Sequence, residues 1–191
     1  MIGLTSALAA ATFAIVDGLL FKPFPYRHAD ELYIVSAGYS DALRARTGAT
    51  IINRWGLGLS LRDMQDLAAA VPGTTYSLIG GGASDVQFGD MRVWAPIVAR
   101  VDAHFFDVTG VRPAVGGFAP EDFTTPASGT VPVLIGQTLW RTQFDRRPDV
   151  VGQTLRIADG PRIVTYVVRG VLPADFVFPS PAVPNVLAPF V

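Results

Sequence analysis

Strand-like and helix-like stretches intermix along these 191 residues, with hairpins among them, and this predicts an α+β fold rather than a doubly wound sheet. Two patterns carry the expectation. In residues 154–168, "TLRIADGPRIVTYVV", Leu155 and Ile157 alternate up to Asp159-Gly160, and Val164, Tyr166 and Val168 alternate away from it, which reads as a hairpin. In residues 60–73, "SLRDMQDLAAAVPG", the residues Leu61, Met64, Leu67, Ala68 and Val71 fall on one helical stripe, expected to be core. Ser60 can cap that helix, Asp63 sits three residues on, and Pro72-Gly73 ends it.

The totals narrow the function classes. Half the residues are apolar and 16% are charged, whereas an average soluble domain carries about 25% charged residues. A chain of this length buries roughly 70% of its unfolded surface, so a core forms without staples. Net charge is -1 and the basic residues are scattered, which argues against a nucleic-acid partner, since that needs a clustered basic footprint. With no cysteine, disulfides, Cys-based zinc sites and thiol nucleophiles are all removed.

Residues 1–21, "MIGLTSALAAATFAIVDGLLF", concentrate the apolar excess and carry a single charge, Asp17. Twenty helical residues span about 30 Å, the thickness of a bilayer core. We read the segment as a transmembrane helix, complete or truncated at its start. A cleaved leader and a buried helix are the alternatives. Neither a Lys or Arg before residue 22 nor a polar stripe is present to favour them. Asp17 lies about a turn from the end, where the roughly 2.5–3.5 kcal/mol cost of a central acid is reduced. Lys22 and Arg27 weakly favour a cytoplasmic side for the chain beyond the segment. Two prolines in "FKPFPY" (21–26) stop the helix and stiffen its exit.

Beyond the exit, "ELYIVSAG" (31–38) reads as a short strand buried on both faces, and 38–58 as a long loop. Residues 74–102 read as two or three strands turned by Gly80-Gly81-Gly82 and Gly89-Asp90. Then "HFFDVTGVRPAVGGF" (104–118) reads as a rigid corner. Asp102 caps one or two turns that bury Phe105, Phe106 and Val108, Gly110 closes them, and Gly116-Gly117 makes another turn. A flexible 121–130, a strand at 131–136, a short helix at 137–144 and a turn at 145–149 precede the hairpin, which Gly170 and Pro173 close. The tail 175–191, with four prolines, is expected to run extended along the surface.

No constellation of residues stands out as catalytic, metal-binding or cofactor-binding. His28 and His104 lack ligand partners at metal-site spacing and read as helix-start or surface residues. The triple glycine is not followed by the Lys-Ser/Thr of a phosphate loop, and no nucleophile elbow occurs. Glu121-Asp122 reads as a solvated acidic turn, and Arg146-Arg147 as turn surface.

Several fragments together carry a resemblance. "AIVDGLLFKPFPY", "ADELYIVSAG", "ARVDAHFFDVTGVRPAVGGFAPED", "VPVLIGQTLWRTQF", "DVVGQTLRIADG" and "VVRGVLPADFVFP" occur in an order and spacing similar to MacB-like ABC transporter permeases (the MacB/FtsX-type permease family). The match runs over nearly all of residues 11–180. It implies a membrane helix at 1–21 followed by a MacB-like periplasmic core domain at 22–191, with strands and short helices in two lobes. It also implies no catalysis and no cofactor, a location at the bacterial inner membrane, and residues 22 onward on the periplasmic side. The implied partners are the membrane, other permease segments or a second permease copy, and a separate ABC ATPase. The implied role is to couple membrane-helix movement to periplasmic partners or to substrate export.

Two departures from the family stand out. "PAVGGFAPED" is one residue shorter than the usual turn, and Arg169 interrupts a commonly apolar strand end. Without further membrane helices or a nucleotide-binding motif, the expectation is a fragment, a truncated product or a subunit that needs others. The competing class is a secreted hydrolase or ligand-binding domain with residues 1–21 as leader, using acids such as Glu121 and Asp122.

Overall fold

The computed structural model describes residues 13, 26–35, 59–83, 85–88, 91–93, 97–124, 129–159, 162–179 and 184–190. Apart from Phe13, the apolar segment 1–21 lies outside the described residues, as do the 38–58 loop and Gly89-Asp90. Among the described residues no helix is long and apolar enough to cross a membrane.

One mixed sheet organises the chain, as α+β predicts. Its strands are β1 (Ile79–Ala83), β2 (Asp85–Phe88), β3 (Met91–Val93), β4 (Ile97–Val101), β5 (Val115–Gly116), β6 (Thr130–Ile135), β7 (Thr154–Asp159), β8 (Arg162–Val171) and β9 (Val186–Pro189). They lie in the order β1-β4-β9-β6-β8-β7-β2-β3, with β5 added against β8. The β4–β9 and β6–β8 pairs are parallel and the others antiparallel. A flat sheet would hold β1 about 29 Å from β2, six steps of about 4.8 Å. Yet Ala83 and Asp85 are two Cα steps apart, at most about 7.6 Å. The sheet is therefore not flat: it curls so that β1 comes round towards β2, the strand next to its far edge.

Alternation along the strands gives the sheet two apolar faces. Val98, Val133, Ile135, Val186 and Ala188 point to one, where Leu139 of helix α3 (Gln137–Gln143), Val150, Leu155 and Tyr166 complete the cluster. Ala99, Val101, Leu134 and Leu187 point to the other, beneath Phe105 of helix α2 (Phe105–Thr109), Leu172 and Phe178. The predicted 154–168 hairpin is present as β7 and β8, with Leu155 opposite Tyr166 and both buried.

Four expectations fail, each for a tertiary reason. The tail is not a surface ribbon: β9 is buried along its length between β4 and β6. Asn185 pins it there, because its N–H donates to Ile97 O (2.9 Å) and its side-chain oxygen accepts from Ile97 N (3.3 Å). The triple glycine is not a turn but part of β1. A Cβ on Gly81 would sit 2.8 Å from Val98 O, and one on Gly80 2.9 Å from the Phe190 ring, so glycine permits close approach rather than reversal. Residues 32–35 form no strand, and Tyr33, Ile34 and Val35 are 84%, 66% and 52% exposed.

The fourth concerns helix α1 (Leu61–Ala70). It has the expected capping box, with Asp63 N donating to Ser60 Oγ (3.2 Å) and Ser60 N donating to Asp63 Oδ2 (2.7 Å). Its stripe, however, joins neither core cluster. Met64 and Leu67 are half-buried, whereas Ala68 and Val71 are exposed.

Candidate functional site

Two adjacent residues, Tyr26 and Arg27, fasten the start of the described stretch 26–35 to the body. Arg27 N donates to Thr109 O (3.1 Å), and Tyr26 Oη donates to Val177 O (2.5 Å). These acceptors belong to segments far apart in sequence. Aromatic packing joins them: Phe105 stacks on Phe178 with ring centroids 6.0 Å apart and meets Phe176 edge-on at 6.5 Å. The circuit from Tyr26 through Val177, Phe178, Phe105 and Thr109 back to Arg27 is closed.

Local chemistry makes this junction. Thr109 Oγ1 back-bonds to Phe105 O at 2.7 Å, so its buried hydroxyl is satisfied within the last turn of α2. Gly110 then adopts φ +71°, the left-handed exit that the sequence predicts. A Cβ there would lie 2.6 Å from the Arg27 Cβ, so glycine is needed both for the turn and for the approach of Arg27. Burial of the phenol raises the Tyr26 pKa from 10.0 to about 12.

The corner departs from expectation in three details. Asp102 does not cap α2, whose N-cap position is His104. It instead accepts from Ser77 Oγ (2.8 Å), Leu78 N (2.9 Å) and His104 N (3.2 Å), tying the end of β4 to the approach to β1. Phe105 is fully buried, whereas Phe106 and Val108 are only half-buried. Gly116-Gly117 is not a separate turn, since Val115–Gly116 pairs with Gly170–Val171 of β8. A Cβ on Gly116 would overlap Arg169 O.

Arg169 and Asp122 explain each other. The β6–β8 register shifts between Val133 and Leu134, so that Val133 faces Val168 and Leu134 faces Gly170. Arg169 is thus the extra residue of a bulge, which re-aims one side chain out of the buried end of the strand. Its Nε donates to Asp122 Oδ1 at 3.1 Å. The other oxygen, Oδ2, accepts from Ala119 N at 2.8 Å. Asp122 is therefore no solvated turn residue: it is 5% exposed, with both oxygens engaged, inside the 3-10 turn Pro120–Phe123. Neighbouring Glu121 is exposed.

The remaining chemistry-bearing residues stay apart. His28 and His104 are exposed ahead of a 3-10 turn and of α2 respectively. Among the described residues, no three His, Asp or Glu side chains group as metal ligands. Arg147 is committed to Asp149 by two bonds (2.7 and 3.0 Å). That pairing holds the Asp149 carboxyl below its usual range. Tyr26, Thr109 and Asn185 carry no sequence signal, because their roles arise only when distant segments meet. An arginine inside the apolar end of β8 is a usable signal for Asp122.

Comparison with known proteins agrees with this architecture. The chain is similar in fold to the extracellular domain of the ABC-type transporter YknZ from Gram-positive bacteria, with TM-score 0.57 and 16% identity over 81% of this chain and 71% of that one. It also aligns with the periplasmic region of MacB from Actinobacillus actinomycetemcomitans, with TM-score 0.48 and 14% identity over 70% of this chain and 62% of that one. No curated protein matches it by sequence. The family model of the MacB-like periplasmic core domain matches residues 1–190, and the chain belongs to that family.

Proposed function

We propose that residues 22–191 form a non-catalytic extracytoplasmic domain of an ABC-type permease at the inner membrane, tethered by a membrane helix at 1–21. In this reading the domain passes movement of that helix to periplasmic partners or to exported substrate. The movement is driven by a separate ABC ATPase, through other permease segments or a second permease copy. The observation that carries the reading is the junction. Tyr26 and Arg27 bond to the body at Val177 and Thr109, so a displacement of the exit is delivered to both the α2 corner and the 176–178 segment. The curled sheet, buried on both faces, is stiff enough to receive it, since close-packed interiors transmit strain.

Topology is tested by fractionating cells that express the full chain, with protease treatment of spheroplasts. The expected result is an intact N-terminus in the membrane fraction, with 22–191 cleaved from the periplasmic side. Release of a soluble product lacking the first twenty-odd residues would overturn the tether.

A further inference from the structure

Residues 105–123 form a strap held at its start, middle and end. At the start, Arg27 N donates to Thr109 O (3.1 Å), and the Arg27 side chain seats against Gly110 so closely that a Cβ would not fit between them. In the middle, the chain around β5 brackets the β8 bulge: Ala114 N donates to Val171 O (2.8 Å) and Gly117 N to Arg169 O (3.0 Å). At the end, Asp122 accepts from Arg169 Nε and from Ala119 N. One row of rings joins the start to the end. Phe105 meets Phe106 edge-on at 5.3 Å, Phe106 lies 6.1 Å from Phe118, and Phe118 meets Phe123 edge-on at 5.3 Å.

The far end has two discrete arrangements. The Arg169 side chain is half-exposed, so on release it moves into water at little cost. Asp122 has no such freedom. It is buried, and with Ala119 N as its remaining partner its charge is strongly disfavoured there. Breaking the pair therefore requires the turn Pro120–Phe123 to lift until the carboxylate reaches water. That turn carries Phe123, the last ring of the row. Rigid rings in close packing pass on displacement rather than absorb it, so the position of the first ring bears on whether the last one can leave.

We propose that the Arg169–Asp122 pair is a latch on this strap, and that displacement of Arg27 biases the latch through the row Phe105, Phe106, Phe118 and Phe123. Both ends then act on one two-state element, which is the physical requirement for coupling over a distance. The coupling is reciprocal: opening the latch loosens the Arg27 end in turn. Arg169 is a positioning residue that selects between the strap closed and the strap lifted. That a membrane helix supplies the displacement rests on the transport reading, whereas the coupling between the two ends does not.

Hydrogen exchange on the full chain in detergent tests the latch. Gly110→Ala wedges Arg27 away, and Tyr26→Phe is the gentler variant, removing only the bond to Val177 O. Each is expected to speed exchange over residues 114–123 by about threefold or more while the β9 amides keep their rates. Asp122→Asn, at the other end, is expected to speed exchange of the Arg27 amide. Phe106→Leu, which interrupts the row, reduces both effects. Three outcomes overturn the proposal. One is unchanged exchange over 114–123 in both junction variants. Another is acceleration that extends equally to β9, which would mean a general loss of stability. The third is effects undiminished by Phe106→Leu. All three are independent of membrane topology, which the spheroplast experiment decides separately.

Discussion

Leu32–Val35 and Val186–Pro189 are four-residue apolar stretches with opposite fates. The first is exposed at Tyr33, Ile34 and Val35, and the second is buried throughout. Composition does not separate them. Position in the topology does: β9 fills a slot between β4 and β6, whereas nothing among the described residues pairs with Leu32–Val35. Strand propensity is a fit to a half-buried surface, so it becomes structure only where neighbours supply that surface.

Removing buried volume on one side and exposed volume on the other tests this contrast most sharply. Phe105→Ala should lower unfolding free energy by ~3–5 kcal/mol, and Leu187→Ala by ~2–5 kcal/mol. Ile34→Ala should change it by less than about 0.5 kcal/mol. Urea denaturation of the three variants reads the difference. Equal losses for Leu187 and Ile34 would erase it. Phe106→Ala should cost visibly less than Phe105→Ala, because its ring is only half-buried.

A middle-sized effect is expected at the bulge. Arg169→Leu strands a buried carboxylate and should cost about 1–3 kcal/mol. The figure stays modest because the arginine side chain is itself 46% exposed. Adding Asp122→Asn should recover part of the loss in the same denaturation series, since it removes the stranded charge. No recovery would mean that Asp122 matters for its bond to Ala119 N alone.

Smaller effects are read by pH. The Tyr26 phenol binds its proton more tightly folded (about 12) than unfolded (10.0). Its contribution is complete below pH 10 and is lost as pH rises from about 10 to about 12. Tyr26→Phe should flatten that part of the stability–pH curve and remove the late tyrosinate absorbance. At the acid end, bonds from Ser60 lower the Asp63 pKa. The α1 cap is therefore present above the ordinary carboxylate range and weakens as pH falls through the folded value. The expected readout is faster hydrogen exchange in the first turn of α1 in acid, with little change in the global midpoint.

Local grammar is legible in the sequence and distant pairing is not. The Ser60–Asp63 box, the Gly110 exit, the 154–168 hairpin and the β6–α3 unit depend on residues a few positions apart, so pattern alone finds them. The prolines of the tail argue for a surface path, but its burial is decided by Asn185 meeting Ile97, 88 residues away. The triple glycine is ambiguous for a related reason: a turn and a close strand approach both call for glycine, and only the presence of Val98 and Phe190 tells them apart. The fold class is carried by pattern and by family resemblance, whereas the Tyr26–Arg27 junction is visible only in three dimensions.

Coupling of a membrane helix to the domain requires that the exit from residues 1–21 be held rigidly to the body at Tyr26 and Arg27. In this cysteine-free chain, nitroxides at Asp30→Cys and Thr142→Cys, both exposed positions, give the distance across that junction by pulsed electron resonance in lipid. A single narrow distribution that broadens on Gly110→Ala is predicted. A broad distribution with the junction unaltered would show the exit swinging free of the body, leaving no rigid connection through which movement could pass.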